Sequence, residues 1–214
     1  MSVPRLRLEA LGRRFARLAT RAVVARPGLW RLFRGPLRAQ FDRLAPIWDA
    51  MRAEDVLPAL AAALDRLQRP PRYILDLGTG TGRAARILAA RFPGAEIVGV
   101  DLAPAMVAEA RRLLPAELEG RVRYEVADAS ALPYGDGSFD LVVLANMIPF
   151  FAELARVTSP GGTLVVAASF GPETPIYTPL ATLRRELGRV GFGSFEELAA
   201  GEGDALLARR DGPG

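Results

Sequence analysis

The sequence predicts a doubly wound α/β sheet on three observations. From residue 73 onward, short apolar runs alternate with stretches of helical periodicity. The first run ends in a glycine-rich turn, and an acid closes the second. The run SFDLVVLAN is apolar enough to be covered on both faces, as a strand inside a parallel sheet is.

Each element follows from local pattern. Leu8, Leu11, Phe15, Leu18 and Ala22 recur at spacings of three and four, which predicts an amphipathic helix. Arg13, Arg14, Arg17 and Arg21 fall on its other faces, and Pro27-Gly28 ends it. The aromatic-rich segment LWRLFRGPLRAQFDRLAPIWDAM comes next, with a break expected at Gly35-Pro36. A third helix is expected over about 54–67, stopped by Pro70-Pro71.

YILDLG is then the first strand, with a helix over 83–92. AEIVGVD is the second, and Pro104 suits the first turn of the helix over 104–114. RVRYEVAD and SFDLVVLAN are the third and fourth strands, followed by a helix over 150–157. SPGGTLVVAAS turns into a fifth strand, and a last helix covers 180–190. SFEELAA and DALLARR, around Gly201-Glu202-Gly203, read as a terminal hairpin. The expected division is a basic helical extension, residues 1–45, and a sheet domain, residues 46–214.

Composition removes several chemistries. The 214 residues contain no Cys and no His, so there is no thiolate nucleophile, no imidazole base and no Cys or His metal ligand. No metal site is expected. All 28 basic residues are Arg, which excludes lysine Schiff bases and a phosphate-binding lysine. Residues 1–45 hold eleven Arg against Glu9 and Asp42, a net +9, so the remainder of a chain of net +4 carries −5. The start has no uninterrupted apolar stretch like that of a secretory signal, and a cytoplasmic location is expected. The longest nearly apolar run, 141–154, is interrupted by Asn146, Pro149 and Glu153, so no membrane span is predicted.

The chemistry centres on Asp76-Leu-Gly78-Thr-Gly80-Thr-Gly82 at the end of the first strand. A phosphate-binding NTPase loop closes with Gly-Lys-Ser/Thr, whereas this turn reads Gly82-Arg83-Ala84. A dinucleotide turn wants G-x-G-x-x-G, and here the third glycine comes one residue early. Asp101, 23 residues after Gly78, stands where a ribose-binding acid belongs in any nucleoside site.

Together Asp76-x-Gly78-x-Gly80-x-Gly82, the acid of VGVD, VADASALPYGDGSFDLVV and ELARVTSPGGTLVV resemble class I S-adenosylmethionine-dependent methyltransferases. Within them the chain is most similar to the small quinone-biosynthesis-like group, from about residue 41 to 210, with FDRLAPIWDAM included. The resemblance implies a Rossmann-like sheet of seven strands, ordered 3-2-1-4-5-7-6 with strand 7 antiparallel. It implies S-adenosylmethionine as cofactor, with the Gly78–Thr79–Gly80–Gly82 backbone passing its methionine moiety. Asp76 would help hold the ammonium, and Asp101 would accept from both ribose hydroxyls. Asp128 would accept from the adenine amino group and Ala129 would offer its amide, while Leu102 and Met106 would flank the ring. Asp140 reads as a structural strand-start residue.

The function expected is methyl transfer to a small or lipophilic acceptor by in-line displacement, which positioning alone can accelerate strongly. Where an oxygen or carbon nucleophile needs a base, the candidates are Glu173 and Tyr177, and Asn146 could orient a substrate. Asn146-Met-Ile-Pro149-Phe150 departs from the Asn/Asp-Pro-Pro-aromatic motif of amide and adenine methylation, which disfavours nucleic-acid acceptors. The connection after the fourth strand is short, leaving the pocket open there unless Phe150 and Phe151 close it.

The alternatives are a non-catalytic S-adenosylmethionine-binding module and an NAD(P)-dependent oxidoreductase. The basic extension has three candidate uses. It could be a lid packing its Leu/Phe stripe on the core, a peripheral membrane contact through residues 1–26, or a nucleic-acid contact.

Overall fold

The computed structural model describes residues 3–51 and 57–212, with residues 3–10 described by their backbone. Seven strands form one sheet: β1 Tyr73–Leu77, β2 Glu96–Asp101, β3 Val122–Val126, β4 Phe139–Ala145, β5 Thr158–Ala168, β6 Phe192–Ala200 and β7 Gly203–Arg210. Their spatial order is β3-β2-β1-β4-β5-β7-β6. β1 to β5 pair in parallel, while β7 runs antiparallel to both β5 and β6. The expected order and the reversed seventh strand are both present.

Strand alternation sorts side chains into two cores. Leu75, Leu77, Val142, Leu144, Leu164 and Leu206 point to one face, Ile74, Ile97, Leu141, Val143, Val165 and Leu207 to the other. The second face is covered by α4 Pro58–Leu64, α5 Arg83–Arg91 and α6 Pro104–Arg112. The first face takes α7 Phe151–Val157 and α8 Leu180–Arg189. It also takes the inner sides of α1 Val3–Ala25 and α2 Trp30–Leu44. A single turn, α3 Trp48–Met51, follows them.

Three local expectations are corrected. The fully buried stripe of α1 is Ala16, Ala19, Thr20 and Val23, and of the expected Leu/Phe stripe only Phe15 is half-buried against the core among the described side chains. Leu11 and Leu18 face solvent, 66% and 61% exposed, and Phe15 packs on Phe33 of α2 with the rings tilted and their centroids 5.9 Å apart. Small residues let the helix approach the core closely, and hydropathy periodicity alone does not register that advantage. The break at Gly35-Pro36 is absent: α2 runs through Pro36. One backbone bond is forgone there, but Gly35 and Pro36 lie on the exposed side while Trp30 and Leu37 anchor the inner side. The third helix is α4, beginning at Pro58; residues 54–56 of the expected span lie outside those described.

Candidate functional site

β1 ends at Leu77, and the chain turns by placing Gly78, Gly80 and Gly82 at positive φ. Gly78 and Thr79 both donate their amides to the Val100 carbonyl of β2 at 2.9 Å, which fixes the turn against the neighbouring strand. At Gly82 space as well as conformation demands glycine, and at Gly78 a side chain would have to displace Met147. A Cβ on Gly82 (φ 80°) would lie 2.3 Å from Tyr124 Oη, and one on Gly78 (φ 74°) 2.5 Å from Met147 Sδ.

Three carboxylates stand at the carboxyl ends of the adjacent parallel strands β1, β2 and β3, the edge where such sheets bind ligands. Asp76, 1% exposed, accepts from Thr79 Oγ1 at 2.6 Å. Burial pushes its carboxyl up to about 6, and the Asp101 charge adds to this against the Thr79 bond and the Arg86 charge. Asp101 accepts from the Gly80 amide on Oδ2 and the Ala103 amide on Oδ1, each at 2.9 Å. Burial raises its carboxyl too, with those amides opposing. Each oxygen keeps capacity for a further donor.

Asp128 is more heavily engaged. Its Oδ1 accepts from Trp30 Nε1 at 2.8 Å, Ser130 N at 2.9 Å and Ser130 Oγ at 2.7 Å. Its Oδ2 faces Arg34, 3.7 Å away. Ala129 beside it is buried in the first core, and Asp140 accepts from the Arg72 and Tyr73 amides, the structural part expected of it.

The segment joining the extension to the sheet closes over this edge. Trp48 Nε1 lies 3.7 Å from where a Cβ of Gly80 would stand. Asp49 accepts from Thr81 Oγ1 in a very short bond and pairs with Arg86 at 3.6 Å, while Arg86 donates to the Thr81 carbonyl at 2.7 Å. Asp42 caps α6 from a distance, accepting from Ala105 N at 3.0 Å where the local cap, Ala103, has no side chain to offer. Met106, expected to flank a ring, is 1% exposed and packs with Ala45 and Ala103 beneath Phe41, Leu44 and Trp48. Leu102 is half-buried against the first core.

The three candidates beyond the donor edge separate. Asn146, at φ 58°, spends its amide on β5: its Nδ2 donates to Ser169 Oγ at 2.7 Å and its Oδ1 accepts from Ser169 N at 2.9 Å. It is a clamp between strand ends. Glu173 points to solvent, its side chain 82% exposed, and its carbonyl accepts from Arg13 and Arg17 of α1 at 3.2 and 3.4 Å. Its backbone thereby fastens the extension to the loop after β5. Tyr177 lines a small cavity and donates to Asp204 Oδ2 at 2.9 Å. Phe150 closes the short connection after β4 by meeting Trp30 edge-on, centroids 5.2 Å apart. Among the described residues no group of three or more acids is placed to hold a metal ion.

A glycine turn with carboxylates at three successive strand ends stands at the edge where open α/β sheets bind their ligands. A methyltransferase-domain family matches residues 74–162. A demethylmenaquinone methyltransferase of Thermus thermophilus is 52% identical over 139 residues, 59% of this chain and 62% of that protein. A malonyl-[acyl-carrier protein] O-methyltransferase of Halorhodospira halophila is 43% identical over 148 residues, covering 64% and 49%. A ubiquinone/menaquinone biosynthesis C-methyltransferase of Syntrophotalea carbinolica is 35% identical over 169 residues, covering 72% and 70%. In fold, an S-adenosylmethionine-dependent methyltransferase of Aquifex aeolicus superposes with a TM-score of 0.64 at 18% identity, over 81% of this chain and 98% of that one. The chain belongs to the S-adenosylmethionine-dependent methyltransferases. It spans less than two thirds of the length of the Thermus and Halorhodospira relatives.

Proposed function

We propose that this chain moves a methyl group from S-adenosylmethionine to an apolar acceptor. The observation that carries the reading is the set of Asp76, Asp101 and Asp128 around a glycine turn that a Cβ would fill. When bound, the cofactor supplies an activated methyl on a sulfonium, so the protein's work is to orient and to exclude water. Asp101 takes the ribose hydroxyls with the lone pairs its two amide bonds leave free. Asp76, below the turn, favours the ammonium end, and the Gly78–Gly82 backbone, Thr79 included, lets that end approach. Asp128 Oδ2 and the Ala129 amide would hold the adenine edge, and Leu102 would flank the ring. Met106 is left out of the ring contact because the extension covers it.

The acceptor reading is supported by relatives named for a quinone precursor and by apolar walls beyond the turn. Peripheral membrane contact would bring such an acceptor within reach. Leu11 and Leu18, seven residues apart on α1 and exposed, lie beside exposed Arg14 and Arg21, the pattern of a helix lying on an anionic surface. Among the described residues, no helix is long and apolar enough to cross a membrane.

Calorimetric titration with S-adenosylhomocysteine, and separately with NAD and NADP, tests the donor reading. Binding of the first alone supports it, and binding of a nicotinamide cofactor alone sinks it. Transfer of labelled methyl to a demethylmenaquinol then separates an enzyme from a binding module.

A further inference from the structure

Trp30 belongs to the extension, outside residues 74–162 that the methyltransferase-domain family matches, yet its indole reaches the third carboxylate of the donor edge. Asp128 Oδ1 is filled: Trp30 Nε1, Ser130 N and Ser130 Oγ donate to it at 2.8, 2.9 and 2.7 Å. The two Ser130 bonds are local and travel with the turn that carries them. The indole bond comes from 98 residues away, and Trp30 is itself fixed, 7% exposed and edge-on to Phe150. It ties the turn to the core.

Oδ2 is the opposite case. Arg34 Nη1 lies 3.7 Å from it, beyond hydrogen-bond reach, on a side chain that is itself 59% exposed. With one oxygen saturated and the other open, Asp128 is a directed acceptor: a ligand group meeting Oδ2 must bring a hydrogen. A carboxylate pinned in one orientation separates a donor from an acceptor, because an opposing lone pair leaves both groups unpaired. A carboxylate free to turn aside separates them poorly.

We propose that Trp30 sets the base selectivity of the donor site. By holding Oδ1 it keeps Oδ2 toward the 6-position of the donor's purine, where an amino group is accepted and a carbonyl is refused. The inference rests on the donor reading above and gives the basic extension a part in it. Trp30 is a positioning residue, acting through Asp128. Without the indole bond the carboxylate swings aside with the Ser130 turn, and the penalty against a 6-carbonyl falls.

The test titrates the full chain by calorimetry with S-adenosylhomocysteine and with its deaminated analogue, S-inosylhomocysteine, which carries a carbonyl at the purine 6-position. The wild type is expected to bind the first about tenfold tighter or more. Trp30→Phe keeps a ring against Phe150 and removes the N–H, and should narrow the ratio to about threefold or less. A merely structural loss weakens both ligands alike and leaves the ratio where it was. Asp128→Asn, whose amide can turn either N–H or oxygen to the base, should bring the ratio to about one. If Trp30→Phe fails to fold, the wild type still decides. Its two Trp give two indole N–H signals in nitrogen-15 NMR, sorted by Trp48→Phe, and the Trp30 signal should differ between the two complexes. A ratio unchanged by Trp30→Phe, or coincident Trp30 signals, overturns the proposal while S-adenosylhomocysteine binding keeps the donor reading. A wild type that binds neither ligand overturns the donor reading, and the proposal falls with it.

Discussion

Trp30 Nε1 donates to Asp128 Oδ1 at 2.8 Å, across 98 residues of chain, and so joins the basic extension to the third carboxylate of the donor edge. The indole is buried and meets Phe150 edge-on, so the bond is formed in a partly dry place. Trp30→Phe keeps much of the ring and deletes the donor. A hydrogen bond to a charged acceptor suggests a loss of about 1.5–3 kcal/mol, read by urea unfolding. Earlier proteolysis within α2 should accompany it. Unchanged stability would mean that Ser130 alone holds Asp128.

An ammonium contact at Asp76 predicts donor binding that depends on pH. Its folded carboxyl is raised to about 6 from an ordinary value of 3.8, so between those pH values the folded state holds a proton that the unfolded state has lost. Stability therefore falls as pH rises through that window and is level above it, by about 3 kcal/mol at most for a shift of roughly two units. A ligand ammonium favours the ionised form, so affinity for S-adenosylhomocysteine should rise as pH passes from 5 to 7.5. Asp76→Asn should flatten that rise. A wild-type affinity independent of pH would remove Asp76 from the ammonium contact.

Gly82→Ala probes the turn itself. The added Cβ meets the Tyr124 ring and hydroxyl at 2.3–3.0 Å, and the residue must also hold φ 80°. Left-handed strain alone costs about 1–2 kcal/mol, so a total loss of about 2–4 kcal/mol is expected in thermal unfolding. Tyr124→Phe in the same chain should recover part of it, since the closest atom is the hydroxyl.

The outward face of α1 can be tested without disturbing the core. Deleting residues 1–26 would strip Ala16, Ala19 and Val23 from the first core, so loss of function there would say little about membranes. Leu11→Ser with Leu18→Ser changes only exposed side chains. The wild type should sediment with phosphatidylglycerol vesicles, less so at high salt, and the double variant should stay in solution. Equal sedimentation of the two proteins would count against the contact.

The sheet was legible because its signals are local. Apolar runs, the glycine turn and Asp101 lie within a few residues of one another, and the strand order followed from the resemblance those motifs carry. What escaped depends on residues far apart in sequence. Nothing near Trp30 or Asp49 in the chain signals that they will meet Asp128 and Thr81. Asp204 reads as an ordinary hairpin residue until β7 sets it against Ala168 and Tyr177 reaches it. Position after a strand singled out Glu173 and Asn146, but carried no sign that Arg13, Arg17 and Ser169 would be their partners. The inner face of α1 was missed because three of its four residues, Ala16, Ala19 and Thr20, score weakly against Leu and Phe on a hydropathy wheel.

Asp101 is the most direct point of attack on the donor reading, because no other side chain at the end of β2 could take ribose hydroxyls. Calorimetry of Asp101→Ala against wild type, with circular dichroism to verify the fold, measures that contact alone. The expected result is that the wild type binds S-adenosylhomocysteine and the variant binds it about 1.5–3 kcal/mol more weakly. Equal affinity in a folded variant would contradict the donor site described for this chain.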